Sequence, residues 1–414
     1  SFGLASVRPP HRVCRVRRIR TLTLAIIITA VCMASCSGAS KSTSESGMTA
    51  GTGMAGDGVV EKTLKLGSFN AIKSETIVDI HFAQGAKRSV RVRATQDALD
   101  RTDISVAQST LTIKEKSGVV RWNGDSDRLK ITLFVTAPEL KSLNNQGIMN
   151  FDADRMNSTG TDIRNTGIMK MKVEDIHDRG GDGTRIENKG QMKAVVRTVD
   201  ARLLTLDNTG ILTFDNTGIK GGLNLSNLGQ LTFTGDVDGN TADIINKGRC
   251  NVTCAFKLTG GYSCNNSGEL HINGDVKGKR ATLKNSGIYR MNGSFNMTDS
   301  YTQTNSGQAD SEGDVTANSI SMTNSGLDKK KGKLKADRLS IDVNGQSRYE
   351  MSFTGGDARL DCSGIGNFEM ALDCSSIEVN SNGQINVTLS GAADNMSLDG
   401  SGISNVNTSR LNKF

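Results

Sequence analysis

The side chain best placed to do chemistry is a cysteine near the start of the chain. Met33-Ala34-Ser35-Cys36 follows a basic stretch, Arg12 to Arg20, and an apolar run, Thr21 to Val31. Small residues before a cysteine at the end of such a run suit lipid attachment. The thiol takes a diacylglycerol, and cleavage before it makes Cys36 the new N-terminus. The apolar run is short of the roughly 20 residues that span a bilayer. Two other readings stay open: an ordinary secretory signal cut near Ser35 that leaves Cys36 a free thiol, and Cys32, which bulky Val31 precedes.

A second set of groups is acidic. Asp310, Glu312 and Asp314 alternate along the chain. Glycan-cleaving sites need two carboxylates converging on one face. Here Lys329, Lys331 and Lys333 occupy the matching phases one repeat later, the pattern of charge pairing between neighbouring strands. No catalytic residue is therefore expected. Lys329, Lys330, Lys331 and Lys333 form the sharpest basic feature, either a contact for acidic glycan or phosphate or a solvated face. Trp122 offers a ring that would stack on a sugar or pack on a turn. His81, His177 and His271 are far apart, and no Cys/His set has zinc spacing. Asp236-Val-Asp238-Gly-Asn240 resembles part of a calcium loop, but no following Glu completes it. No metal or cofactor is expected.

Charge adds little. The formal net charge is +7, from 50 basic and 43 acidic residues, but six arginines precede Cys36 and no acid does. Without them the balance is close to neutral, and no nucleic-acid partner is expected.

What positions these groups is a repeat. Asn-x-Gly recurs at Asn145, Asn165, Asn188, Asn208, Asn227, Asn246, Asn266, Asn285, Asn305 and Asn324, and the Gly alone continues at Gly345, Gly364, Gly383 and Gly402. These fourteen glycines lie 19 or 20 residues apart, with one gap of 23. Four residues before each Gly stands an apolar row from Leu143 to Leu398, broken only by Gln303. Two and four residues after it, pairs such as Met149/Phe151 and Leu231/Phe233 alternate, a strand signal. A second turn often carries Gly six residues on, as at Gly235 and Gly274. One such coil cannot bury its apolar face alone, whereas stacked coils align like residues into inward columns. The expected fold is all-β: a parallel solenoid with coils of about 19–20 residues, each Gly supplying turn dihedrals and the asparagines forming a ladder. Leucine-rich and nonapeptide calcium-binding repeats do not fit the spacing. The ladder ends where Val343, Cys362, Ser381 and Gly400 take the Asn column.

The organisation follows: a lipoprotein signal over 1–36, a Ser/Gly/Thr-rich tether over 37–58, a strand-rich unit over 59–143, and coils over 144–414. Cys250, Cys264 and Cys362 fall in inward phases and read as packing residues; a Cys250–Cys254 or Cys254–Cys264 bridge stays open. The longer coil around Asp178 to Gly183 is expected to bulge outward.

The unit over 59–143 carries a resemblance. Gly67-Ser-Phe69-Asn-Ala-Ile72, the strand ending in Gln84-Gly85, Val90-Arg-Val92-Arg-Ala94 and Thr136-Ala-Pro138-Glu-Leu140 resemble the auto-transporter adhesin head GIN domain family of Gram-negative envelope lipoproteins. The resemblance implies a right-handed, single-stranded parallel β-helix in the cell envelope and supplies no catalytic residue. The expectation is an outer-membrane lipoprotein, held by lipid on Cys36, that acts as an adhesin-like binding or scaffold module for a glycan or protein ligand. Two alternatives are a polysaccharide-active β-helix enzyme and a purely structural periplasmic protein. The periplasmic or outer face is undecided.

Overall fold

The computed structural model describes residues 58–117, 130–178 and 180–413. Cys36 and Trp122 lie outside these residues. Among them no helix is long and apolar enough to cross a membrane.

From Ser142 onward, almost every strand pairs in parallel with the segments one coil before and one coil after it. β8 (Ser142–Asn145) pairs with β10 (Thr161–Asn165), and β10 with β12 (Thr184–Asn188). On the next side β9 (Ile148–Ser158), β11 (Ile168–Asp178), β13 (Gln191–Asn208) and β14 (Ile211–Asn227) stack in the same way. Like residues sit on like residues: Leu143 on Ile163, Ile163 on Ile186, Phe214 on Phe233. The row before the turn glycine is buried from Leu143 to Val379. It fails at Leu398, which is 43% exposed. Few large rings are available, and they are used in stacks and edges such as Phe214–Phe233 and Phe295–Tyr301.

The first strands close the N-terminal end. They are β1 (Val59–Leu64), β2 (Ala71–Ser74), β3 (Ile77–Gln84), β4 (Ser89–Thr95), β5 (Thr102–Ala107), β6 (Thr110–Glu115) and β7 (Ile131–Ala137). β2 and β3 form a coil in register with the repeats, Ser74 lying on Asn145 and Phe82 on Ala153. That coil is sandwiched, because β6 and β7 pair in parallel with its other edge. Beyond them the pairing turns antiparallel: β5 on β6, β4 on β7 and β1 on β4. In β1, Lys62 opposes buried Val92 yet is itself exposed. A charge in the inward row of an edge strand discourages further pairing.

The asparagine ladder is continuous. Asn145 Nδ2 donates to Asn165 Oδ1, and the same bond recurs through every asparagine to Asn324, at 2.7–2.8 Å. Each amide also bridges two backbone carbonyls; Asn246 Nδ2 lies 3.0 Å from Gly248 O and 2.9 Å from Glu269 O. At the end of the ladder Asn324 donates to Ser347 Oγ instead.

The glycine reading is corrected. The glycine of Asn-x-Gly does not adopt a left-handed conformation; it is needed because the next coil is too close. A Cβ on Gly229 would fall 2.0 Å from Gly210 O, and one on Gly248 would fall 2.1 Å from Gly229 O. Left-handed dihedrals belong to the second turn, as at Gly235 with φ 127°.

Candidate binding groove

One corner of the coil differs between the first four repeat coils and those that follow. Met156, Ile176, Val199, Ile219, Val237, Phe256 and Val276 form one buried column. The first four are reached one residue later after their turn glycine than the last three. The additional residue widens the corner at Asp154-Arg155, Glu174-Asp175, Arg197-Thr198 and Thr217-Gly218. A groove of about 570 Å³ results, lined among others by Arg155, Asp175, Thr198, Gly218, His177, Asp200, Lys220, Asp236, Asp238 and Lys257. Its floor is open at Gly218, where a Cβ would meet nothing within 4 Å.

The groove is polar and largely pre-ordered. Asp175 accepts from Arg197 Nη2 at 2.8 Å and from the Thr198 hydroxyl. His177 Nδ1 faces Asp200 at 3.1 Å. Asp236 Oδ1 accepts the Ala255 N–H at 3.0 Å, and the Thr217 hydroxyl donates to Arg197 O at 2.6 Å. The Thr198 hydroxyl is directed at Asp175 rather than at His177. The groove thus presents a row of donors and acceptors across several coils. Sequence reasoning missed this groove. Its signal was the count from each turn glycine to the following inward residue.

The basic run is placed differently from its expectation. Lys329, Lys331 and Lys333 are exposed, but Lys330 is buried, 4% exposed. Four residues after Gly326, it occupies the inward column of Phe214 and Phe233, which strand alternation denies to solvent. Its Nζ lies 3.4 Å from Ser311 Oγ and 5.4 Å from the centre of the Tyr301 ring. Burial lowers its pKa to about 8, partly countered by Asp328. Asp328 is buried in the column beside it. Its Oδ2 accepts from Tyr349 Oη at 2.8 Å and Gln303 Nε2 at 3.2 Å, while Oδ1 has no partner. Burial raises its pKa to about 6 against the opposing effects of Tyr349 and Lys330. Gln303, the lone polar break in the apolar row, belongs to this cluster and accepts from Tyr301 Oη at 2.7 Å.

Asp310 and Glu312 lie in register with Lys329 and Lys331, as the spacing implies. Asp314 Oδ1 accepts the Lys333 N–H at 2.8 Å. Cys250, Cys254, Cys264, Cys362 and Cys374 are buried free thiols. Desolvation pushes Cys250 and Cys264 up to about 12, which suppresses thiolate chemistry. The three additional residues of the longer coil fall between Asp178 and Thr184, which oppose Ser158 and Thr161, and the Asp178 carboxylate accepts the N–H groups of Gly180 and Gly183 there at 2.9 and 2.6 Å.

Residues 68–200 and 349–413 match the family model described as "Putative auto-transporter adhesin, head GIN domain". The chain belongs to the head GIN domain family. The family match leaves 201–348, the middle of the coil stack, between its two segments. Several solved structures are similar to this head GIN domain protein. A "putative adhesin" from Bacteroides fragilis is 10% identical, with 85% of this chain and 97% of that chain covered and a TM-score of 0.29. One from Parabacteroides merdae is 12% identical over 85% and 96%, with a TM-score of 0.24. A "putative lipid binding protein" from Parabacteroides distasonis is 12% identical over 85% and 97%, with a TM-score of 0.22. No curated protein matches the sequence. The coil register, not these likenesses, carries the fold.

Proposed function

We propose that this head GIN domain protein is a lipid-anchored envelope adhesin, a rod that binds a glycan at the corner groove and does not turn it over. The groove carries the reading. Several adjacent coils widen at the same corner, so donors and acceptors repeat along one line at about 4.8 Å per coil, a geometry suited to an extended chain. Three of the four groove carboxylates, Asp175, Asp200 and Asp236, are engaged by Arg197, His177 and a backbone N–H, which favours holding a ligand over acid–base work on it.

The anchor rests on Met33-Ala34-Ser35-Cys36 behind the apolar run. Cells fed radiolabelled palmitate will label the wild-type protein, and Cys36→Ser will abolish the label. Persistence of label in that variant sinks the anchor. For the groove, Gly218→Phe places a ring in open space without backbone strain. Binding on a glycan array will fall at least about tenfold while the thermal midpoint stays within a degree or two. An array signal that survives Gly218→Phe moves the contact elsewhere. No signal on any glycan favours a purely structural rod.

A further inference from the structure

We propose that the groove takes a linear acidic glycan lying along the rod, with its anionic groups over Arg155, Lys220, Lys257 and Lys277. This rests on the groove being the binding face. The argument is one of unspent charge. Of the groove's carboxylates, Asp175 is held by Arg197 and Thr198, Asp200 by His177, and Asp236 by a backbone N–H. Asp238 alone is uncommitted, in register between Lys220 and Lys257. Lys220 lies in register between Asp200 and Asp238, yet the cations are less committed than the carboxylates. Among the described residues Arg155, Lys220 and Lys257, all exposed, close no ion pair with any carboxylate.

The line continues past the groove. Lys257 lies in register with Lys277, which is also exposed and unpaired. Like charges directly opposite on adjacent strands cost stability. A bound anion between them would remove that cost. Along the axis, Arg155 sits in the first repeat coil, Lys220 three coils on, Lys257 two further and Lys277 one further. At about 4.8 Å per coil this places positive charge along roughly 30 Å. Such a span suits a polymer with repeated carboxylate or sulfate groups better than a single small anion. Gly218 and the Thr198 and Thr217 side chains leave room and hydrogen-bonding groups for the sugar rings between those charges.

The test uses the full-length protein in non-ionic detergent and affinity electrophoresis through gels containing alginate, a uronate polymer, dextran sulfate, a sulfated one, or neutral dextran. Alginate or dextran sulfate will retard the protein and dextran will not, and the retardation will weaken as salt rises. Lys257→Gln/Lys277→Gln will weaken it at least about tenfold. Lys170→Gln/Lys193→Gln, an in-register lysine pair on another face, will leave it unchanged. Uronate-only or sulfate-only retardation decides which acid group is recognised. Retardation by dextran alone, sensitive to Gly218→Phe, overturns the acidic ligand and leaves the binding groove standing. Equal retardation by DNA, or equal loss in both lysine pairs, reduces the effect to general polyanion attraction and overturns the proposal. No retardation in any gel, together with a blank glycan array, overturns the groove as well.

Discussion

Asn246→Ala will destabilise the rod by about 2–4 kcal/mol, although it removes only a small side chain from a turn. Asn246 donates to Asn266 Oδ1, Gly248 O and Glu269 O, and it accepts from Asn227 Nδ2. Alanine leaves Asn266 Oδ1 without its donor in a fully buried column and opens a cavity where the amide lay. Asn246→Asp is the sharper variant. A carboxylate can only accept, and here it meets three acceptors, so at neutral pH it will cost more than alanine. Its pKa in the fold will be raised, by burial and by those oxygens. A folded pKa above the unfolded one means that stability returns as pH falls through it. Acidification will therefore recover part of the aspartate defect and none of the alanine defect. Hydrogen exchange over residues 227–285, compared with distant coils, reads the loss locally. Equal pH responses for the two variants would show that the ladder has no donor direction.

The Asp328–Lys330 layer will respond to pH in the opposite sense from most protein charges. Asp328 sits at about 6 against an ordinary value of 3.8, so between these values the folded chain holds a proton that the unfolded chain has lost. Stability from this group grows as pH falls through that window. Lys330 sits at about 8 against 10.5, so in that window the folded chain has already shed a proton. Stability from it grows as pH rises. The layer is weakest between about pH 6 and 8, where both groups are charged in a dry core without closing an ion pair. Lys330→Met alone will cost about 1–3 kcal/mol at pH 7, because it removes the cation that opposes the burial of the Asp328 charge. Asp328→Asn/Lys330→Met will recover most of that loss, since the amide oxygen still accepts from Tyr349 and Gln303. Subtracting the double variant's stability–pH curve from the wild type's will give a trough centred near neutrality. A peak there would mean that the two charges stabilise each other more than burial costs them.

Most of the fold was legible because alternation and a fixed repeat length act on every coil alike. The inward rows, the ladder and its end after Asn324 all follow from phase. Lys330 was misplaced because four lysines were read as one basic strip by composition, whereas phase separates Lys330 from Lys329 and Lys331. Gly229 shows a different limit. Sequence announces that a side chain is forbidden but does not say whether a dihedral or a neighbouring carbonyl forbids it. The groove was hidden because repeats were aligned on their turn glycines, which conceals a one-residue change farther along the coil. Nothing about Asp175 or His177 by type marks them as groove residues.

The carbonyl of one turn glycine against the next, and one amide against the next, are contacts between adjacent coils only. Length is therefore a free parameter of this architecture. A whole coil can be duplicated or deleted in the middle of the stack, and only one interface must be remade, leaving the N-terminal closure untouched. The same operation shifts everything beyond it by about 4.8 Å and by one fixed rotation. The rod thus behaves as a ruler graduated in coils, whose reach can change without any redesign of its ends.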